Sequence, residues 1–135
     1  MPQLTPDDKP WRVMKRRNKS FVIRLIYTLC LAGATYNHAR IVLEHGVPWD
    51  YGGLPLFVST FWTALTFIDA LAVVLLLAKP RYGLGLTVAI IVSDVAVNSW
   101  VGMEYGIDAA AFAAQVVFLL FVLFTVRGAW HAVER

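Results

Sequence analysis

Four stretches of about 20 mostly apolar residues, separated by short polar segments, dominate this chain and leave few folds open to it. A helix needs roughly 20 such residues to cross the ~30 Å hydrocarbon layer of a bilayer, and lipid accepts only elements that satisfy their own backbone hydrogen bonds. Residues 20–38 (SFVIRLIYTLCLAGATYNH), 54–78, 82–103 and 107–126 meet that demand. They predict an all-α membrane protein with four transmembrane helices in an up-down antiparallel bundle. Residues 1–19 then form a basic cytoplasmic N-terminal tail, 20–126 the transmembrane domain and 127–135 a short cytoplasmic C-terminus. The balance of 59% hydrophobic to 16% charged residues is that of a chain whose solvent is lipid. The first apolar stretch is longer than a signal-peptide core and runs into Tyr36, Asn37 and His38 without a small-x-small cleavage site, so it is read as a retained helix.

The connections set the order of the helices. Lys79-Pro80-Arg81 and Glu104-Tyr105-Gly106 admit only tight reversals, which makes the second, third and fourth helices sequential neighbours. The loop 40–53 is longer and holds Gly46, Pro48, Trp49, Asp50, Tyr51, Gly52 and Gly53, turn formers mixed with aromatics suited to the membrane interface. Pro2, Pro6 and Pro10 punctuate the polar tail, which has room for a short interfacial helix near Trp11.

Lysine and arginine set the orientation, because cytoplasmic flanks keep them and translocated loops avoid them. Seven of the twelve basic residues lie in the first 24 positions, Lys79 and Arg81 flank the second reversal, and Arg127 and Arg135 follow the fourth helix. The opposite connections carry Glu44, Asp50, Glu104 and Asp108 against the single Arg40. Both termini are therefore expected in the cytoplasm, with a bacterial inner membrane as the expected location. The net charge of +3 reads as this topology signal and an attraction to anionic lipid, not as a nucleic-acid surface. A single cysteine, Cys30, excludes an intramolecular disulfide, a multi-cysteine metal site and disulfide-exchange chemistry.

Ionisable groups inside hydrocarbon disfavour insertion by about 2.5 to 3.5 kcal/mol each, so they are functional candidates by default. Counting ~1.5 Å per residue from the basic flanks places Asp69 roughly 15 Å deep, Asp94 roughly 20 Å and Gln115 roughly 18 Å. Three consecutive helices thus bring a polar group to the midplane. Two carboxylates within reach in a low-dielectric site do not both ionise easily, which points to a shared proton and an acid-base or relay role. The competing reading is a protonated aspartate that merely ties helices together, worth about 0.6 to 2 kcal/mol.

A second polar layer lies nearer the outer face. Asn98 follows Asp94 by one turn, Trp62 and Thr66 precede Asp69 by seven and three residues, and Asn37 and His38 close the first span. Together they outline a cavity with its mouth at His38, Trp62 and Asn98 and its floor at Asp69 and Asp94. His38 is either an interfacial polar residue or an acid-base group; its seven-residue separation from His45 argues against a shared metal, and no cofactor is implied. Arg24 either snorkels to the head groups or turns inward to pair with Asp69. Arg40 and Glu44 have the spacing of a solvated helical ion pair.

The layout is distantly similar to that of emopamil-binding-type sterol isomerases, but Ser93, Asp94 and Asn98 stand where that pattern wants histidine. The early membrane glutamate of small multidrug transporters is missing as well. Three functional classes stay open. The first is a ligand-binding or transport-type protein with a buried polar site for a small or apolar molecule. The second is a membrane-embedded enzyme acting on a lipid by acid-base chemistry. The third is an accessory subunit whose helices offer surfaces to a partner or a second copy.

Overall fold

The computed structural model describes residues 5–6, 9–47 and 49–133; Pro2, Pro48 and Arg135, named above, lie outside the described residues. Four helices make up the fold: α1 (Pro10–His45), α2 (Leu56–Ala78), α3 (Pro80–Glu104) and α4 (Ala109–Val133). Each packs on its neighbours in sequence, and α1 also packs on α4, so the four close into a ring in which α1 and α3 touch only slightly across the middle and, among the described residues, α2 and α4 do not touch.

Helix α1 is much longer than the apolar segment 20–38. Pro10 starts it at a position where its missing N–H costs nothing, and no breaker follows until Gly46, whose φ of 78° and N–H bond to the Val42 carbonyl end the helix. At 36 residues it measures about 54 Å, well beyond a bilayer core. The basic stretch 10–19 is thus the mostly exposed first part of this long helix rather than a tail with a separate short helix near Trp11. Its inward stripe is Ser20, Ile23, Tyr27 and Leu31, the three-to-four spacing of one helix face.

Asp108 starts α4: its Oδ1 accepts from the N–H groups of Ala110 and Ala111 at 2.9 and 3.0 Å. The helix then runs past 126 to Val133. Helices α2, α3 and α4 are long and apolar enough to cross a membrane. The outward faces of α2 and α4 carry Phe67, Val74, Val117 and Phe124 largely exposed, an arrangement that suits an apolar solvent or a partner.

Contacts across the ring define its levels. The Ser20 hydroxyl donates to the Ala129 carbonyl at 3.0 Å, and seven residues further along α1 the Tyr27 hydroxyl meets Thr125 Oγ1 at 2.6 Å and the Val122 carbonyl at 3.3 Å. Thr125 Oγ1 also lies 2.6 Å from the Phe121 carbonyl, one turn back on α4. Phe118 and Phe121 meet the Tyr27 ring edge-on at 5.8 Å. The core continues through Leu65, Ala72, Leu76, Leu84 and Ile91.

Between α2 and α3 the backbones come close enough that a Cβ on Gly83 would overlap main-chain atoms of Leu75 and Leu76. That approach follows directly from the one-residue link at Lys79. Gly83→Val is expected to force the pair apart and destabilise the fold by about 1 to 3 kcal/mol. Gly33→Ala, where a Cβ meets nothing within 4 Å, should not. Reversible unfolding of the two variants in detergent checks the contrast.

Candidate functional site

The polar residues of α2, α3 and α4 meet at Asn98, which is 3% exposed. Trp62 Nε1 donates to Asn98 Oδ1 at 2.9 Å. The Asn98 amide nitrogen donates to Asp94 Oδ1 at 3.0 Å, one turn back along α3, and to Gln115 Oε1 of α4 at 2.7 Å. Tryptophan can only donate, so it selects which end of the carboxamide faces α2; both N–H groups of Asn98 are then left for the two remaining acceptors. Asp94 and Gln115 of the midplane level and Trp62 and Asn98 of the second polar layer are in this way joined in one network.

Asp69 lies beside the network without belonging to it. It is 1% exposed, its Oδ1 has no hydrogen-bond partner, and it is within electrostatic reach of Asp94. Thr66 Oγ1, one turn away on the same face of α2, is also buried without a partner. A buried polar atom with nothing to bond costs about 1 to 3 kcal/mol, more when charged, so a pair of them on one helix face is a place where a further donor would be welcome.

His38 is half-buried with its Nδ1 unpartnered, and no hydrogen bond joins it to the network. Arg24 does not reach Asp69. Its Nη1 donates to the Leu76 carbonyl at 2.9 Å, one of the last four carbonyls of α2, and its guanidinium lies 5.8 Å from the Phe21 ring centre. Leu76 is level with Arg24, whereas Asp69 is two turns, about 10 Å, further along. Arg40 and Glu44 form the expected exposed pair at 3.7 Å.

Tyr51 is the residue that the sequence reading treated only as an interfacial aromatic. Asp50 Oδ1 accepts from the Gly52 N–H at 3.1 Å, its carbonyl accepts from Gly53 and Leu54, and this turn holds Tyr51 at a φ of 52°. The ring then meets Trp62 edge-on at 4.8 Å and roofs the network from the loop side. The signal was present in the turn-forming run Asp50-Tyr51-Gly52-Gly53, but nothing local shows that the turn folds back over α2. Two cavities, of 570 and 480 Å³, open at the opposite, basic end, and neither is lined by network residues.

No known family model, curated protein or solved structure matches the chain. The site is therefore read on its own chemistry. Asn98→Leu strands Trp62, Asp94 and Gln115 together and should lower stability by about 2 kcal/mol or more, while Trp62→Phe removes one bond and should cost about 1 kcal/mol. Equilibrium unfolding of the two single variants and the double variant tests whether the bonds act as a unit, since the double loss should be smaller than the sum.

Proposed function

We propose that the chain is a multi-pass membrane protein of the ligand-binding or transport type, whose Asp69 and Asp94 hold a proton or the hydrogen-bond-donating, cationic group of a small molecule. The observation that carries this is the unpartnered Oδ1 of a fully buried Asp69 within electrostatic reach of an Asp94 whose own Oδ1 accepts from Asn98. A satisfied carboxyl is a structural tie; an unsatisfied one at the same level is an acceptor waiting for a donor. Arg24, the nearest built-in cation by sequence depth, is held on Leu76 and leaves that acceptor vacant.

In this reading all four helices span the bilayer in an up-down antiparallel bundle, with both termini at the cytoplasmic face of a bacterial inner membrane. The register supports it: Ser20 pairs with Ala129 and Tyr27 with Val122, so position rises along α1 as it falls along α4. Trp62 with Asn98, and Gly83 against Leu76, run the same way for α2 and α3. Aromatic groups collect at both ends, Arg81 over Trp130 at one and Phe57, Trp100 and Tyr105 at the other. Arg81 and Trp100 are 19 residues apart on α3, about 28 Å of rise, close to a hydrocarbon thickness.

The orientation is tested with single cysteines in a Cys30→Ala background. Lys79→Cys should resist a membrane-impermeant maleimide in intact cells and react after lysis; Glu104→Cys should react in both. The reverse pattern excludes cytoplasmic termini.

The site is tested by infrared spectroscopy of the reconstituted protein. A protonated-carboxyl band that responds to pH should be present in the wild type and missing in Asp69→Asn, with helix content retained. Proteoliposomes under a membrane potential should show proton flux that Asp69→Asn or Asp94→Asn alters. An unchanged band together with unchanged flux in both variants would leave only the structural role.

A further inference from the structure

The basic end of the bundle carries a cavity of 570 Å³ between the first half of α1 and the last turns of α4. It is independent of the midplane network. Its walls are of two kinds. Arg16, Arg17 and Lys19 of α1 and His131 of α4 line it with cationic and donor groups, and no acidic side chain among the described residues is part of the lining. Phe124 lines its other side and is 84% exposed; Leu120 and Val117, four and seven residues back on the same face of α4, are 48% and 66% exposed and continue the apolar surface away from the charged end.

The space beside Gly128 is open. A Cβ built there meets nothing within 4 Å, although Ser20 and Ala129 are hydrogen-bonded at the next position and hold α1 against α4. The groove is thus an open slot in a tied interface, cationic at one end and apolar along its length. Soluble phosphate would match the first feature alone. A neutral lipid would match the second alone. An amphiphile with a negatively charged head matches both, and anionic phospholipids in the adjoining leaflet supply that chemistry at high local concentration.

We propose that this slot binds one anionic phospholipid, its phosphate among Arg16, Arg17 and Lys19 and an acyl chain along Phe124, Leu120 and Val117. This differs from the general attraction of a basic segment for an anionic surface, which scales with charge and not with position. A site depends on where the charges stand and on the slot being empty of protein.

The test uses the full-length protein in detergent, with native mass spectrometry of the phosphatidylglycerol it retains from mixtures with phosphatidylcholine. One phosphatidylglycerol should be held preferentially. The double variant Arg16→Gln, Arg17→Gln should weaken retention by about 30-fold, the effect expected of two charges near a head group. Lys9→Gln with Lys15→Gln removes the same charge from positions that line neither cavity and should leave retention unchanged. Gly128→Leu fills the slot without altering charge and should abolish retention while circular dichroism stays that of the wild type. Millimolar inorganic phosphate should not displace the lipid. Equal losses in the two charge variants, full retention in Gly128→Leu, or displacement by phosphate would each overturn the proposal. Should Gly128→Leu not fold, the contrast between the two charge variants decides the question.

Discussion

Burying a carboxamide in an apolar bundle is tolerable only if every one of its polar atoms finds a partner, and Asn98 meets that condition with three helices at once. The direction of donation starts at the Trp62 indole, which has no alternative, and passes through Asn98 to Asp94 and Gln115. Gln115 must present its oxygen to Asn98 and so turns its amide nitrogen elsewhere. For α4 this matters more than for its neighbours. Val122 and Ala129 are its fully buried residues, and its polar ties run to Tyr27 and Ser20 of α1 at two levels and, through the amide of Gln115, to Asn98 of α3 at a third.

The same network explains why Asp69 stands apart. One turn separates Asp94 from Asn98, so the lower carboxyl of α3 is bonded within its own helix, whereas Asp69 has Thr66 as its nearest polar neighbour on α2 and that hydroxyl is itself unpartnered. Two carboxyls in one low-dielectric neighbourhood therefore have unequal surroundings, the general condition under which paired acids take different roles. The bundle could have neutralised Asp69 with Arg24, but the guanidinium is drawn instead to the free carbonyls that end α2, which are nearer by two turns. Whatever balances Asp69 has to come from outside the described side chains.

The apolar runs made the four helices legible, because a chain in lipid has no other way to satisfy its backbone. Their ends were not. Polarity marks where an apolar run ends, and residues 10–19 and 40–45 lie outside the apolar run of α1 without leaving the helix, since no proline or left-handed glycine interrupts them before Gly46. Level along a helix was legible too, because rise per residue is fixed: it put Asp94 with Gln115 and set Trp62 and Asn98 in a second layer one or two turns away, and the hydrogen bonds join the two layers. Facing is a different quantity. Arg24 lies within ~10 Å of the Asp69 level and is still bonded elsewhere. Tyr27, 0% exposed and central to the α1 contact with α4, gave no signal, because one aromatic in an apolar run looks like any other until its hydroxyl has a partner.

The four interfaces are unequal, and the inequality indicates where motion is cheapest. α2 and α3 approach to main-chain contact at Gly83 and bury most of the core between them, including Leu65, Asp69, Ala72, Leu76, Leu84 and Asp94. Separating them would open that core. α4 has two fully buried residues, packs Phe118, Leu119, Phe121, Val126 and Trp130 half-buried against the core, and meets α1 across a slot at Gly128, so it sits less deeply in the core than α2 and α3. Regions with few buried contacts are those that open first. The carboxyl-bearing pair α2 and α3 is then the more tightly packed half of the molecule, and displacement of Gln115 and α4 is the motion that disturbs it least. That motion is resisted at the basic end by Tyr27 and Ser20, whose bonds to Thr125 and Ala129 sit on either side of the slot at Gly128.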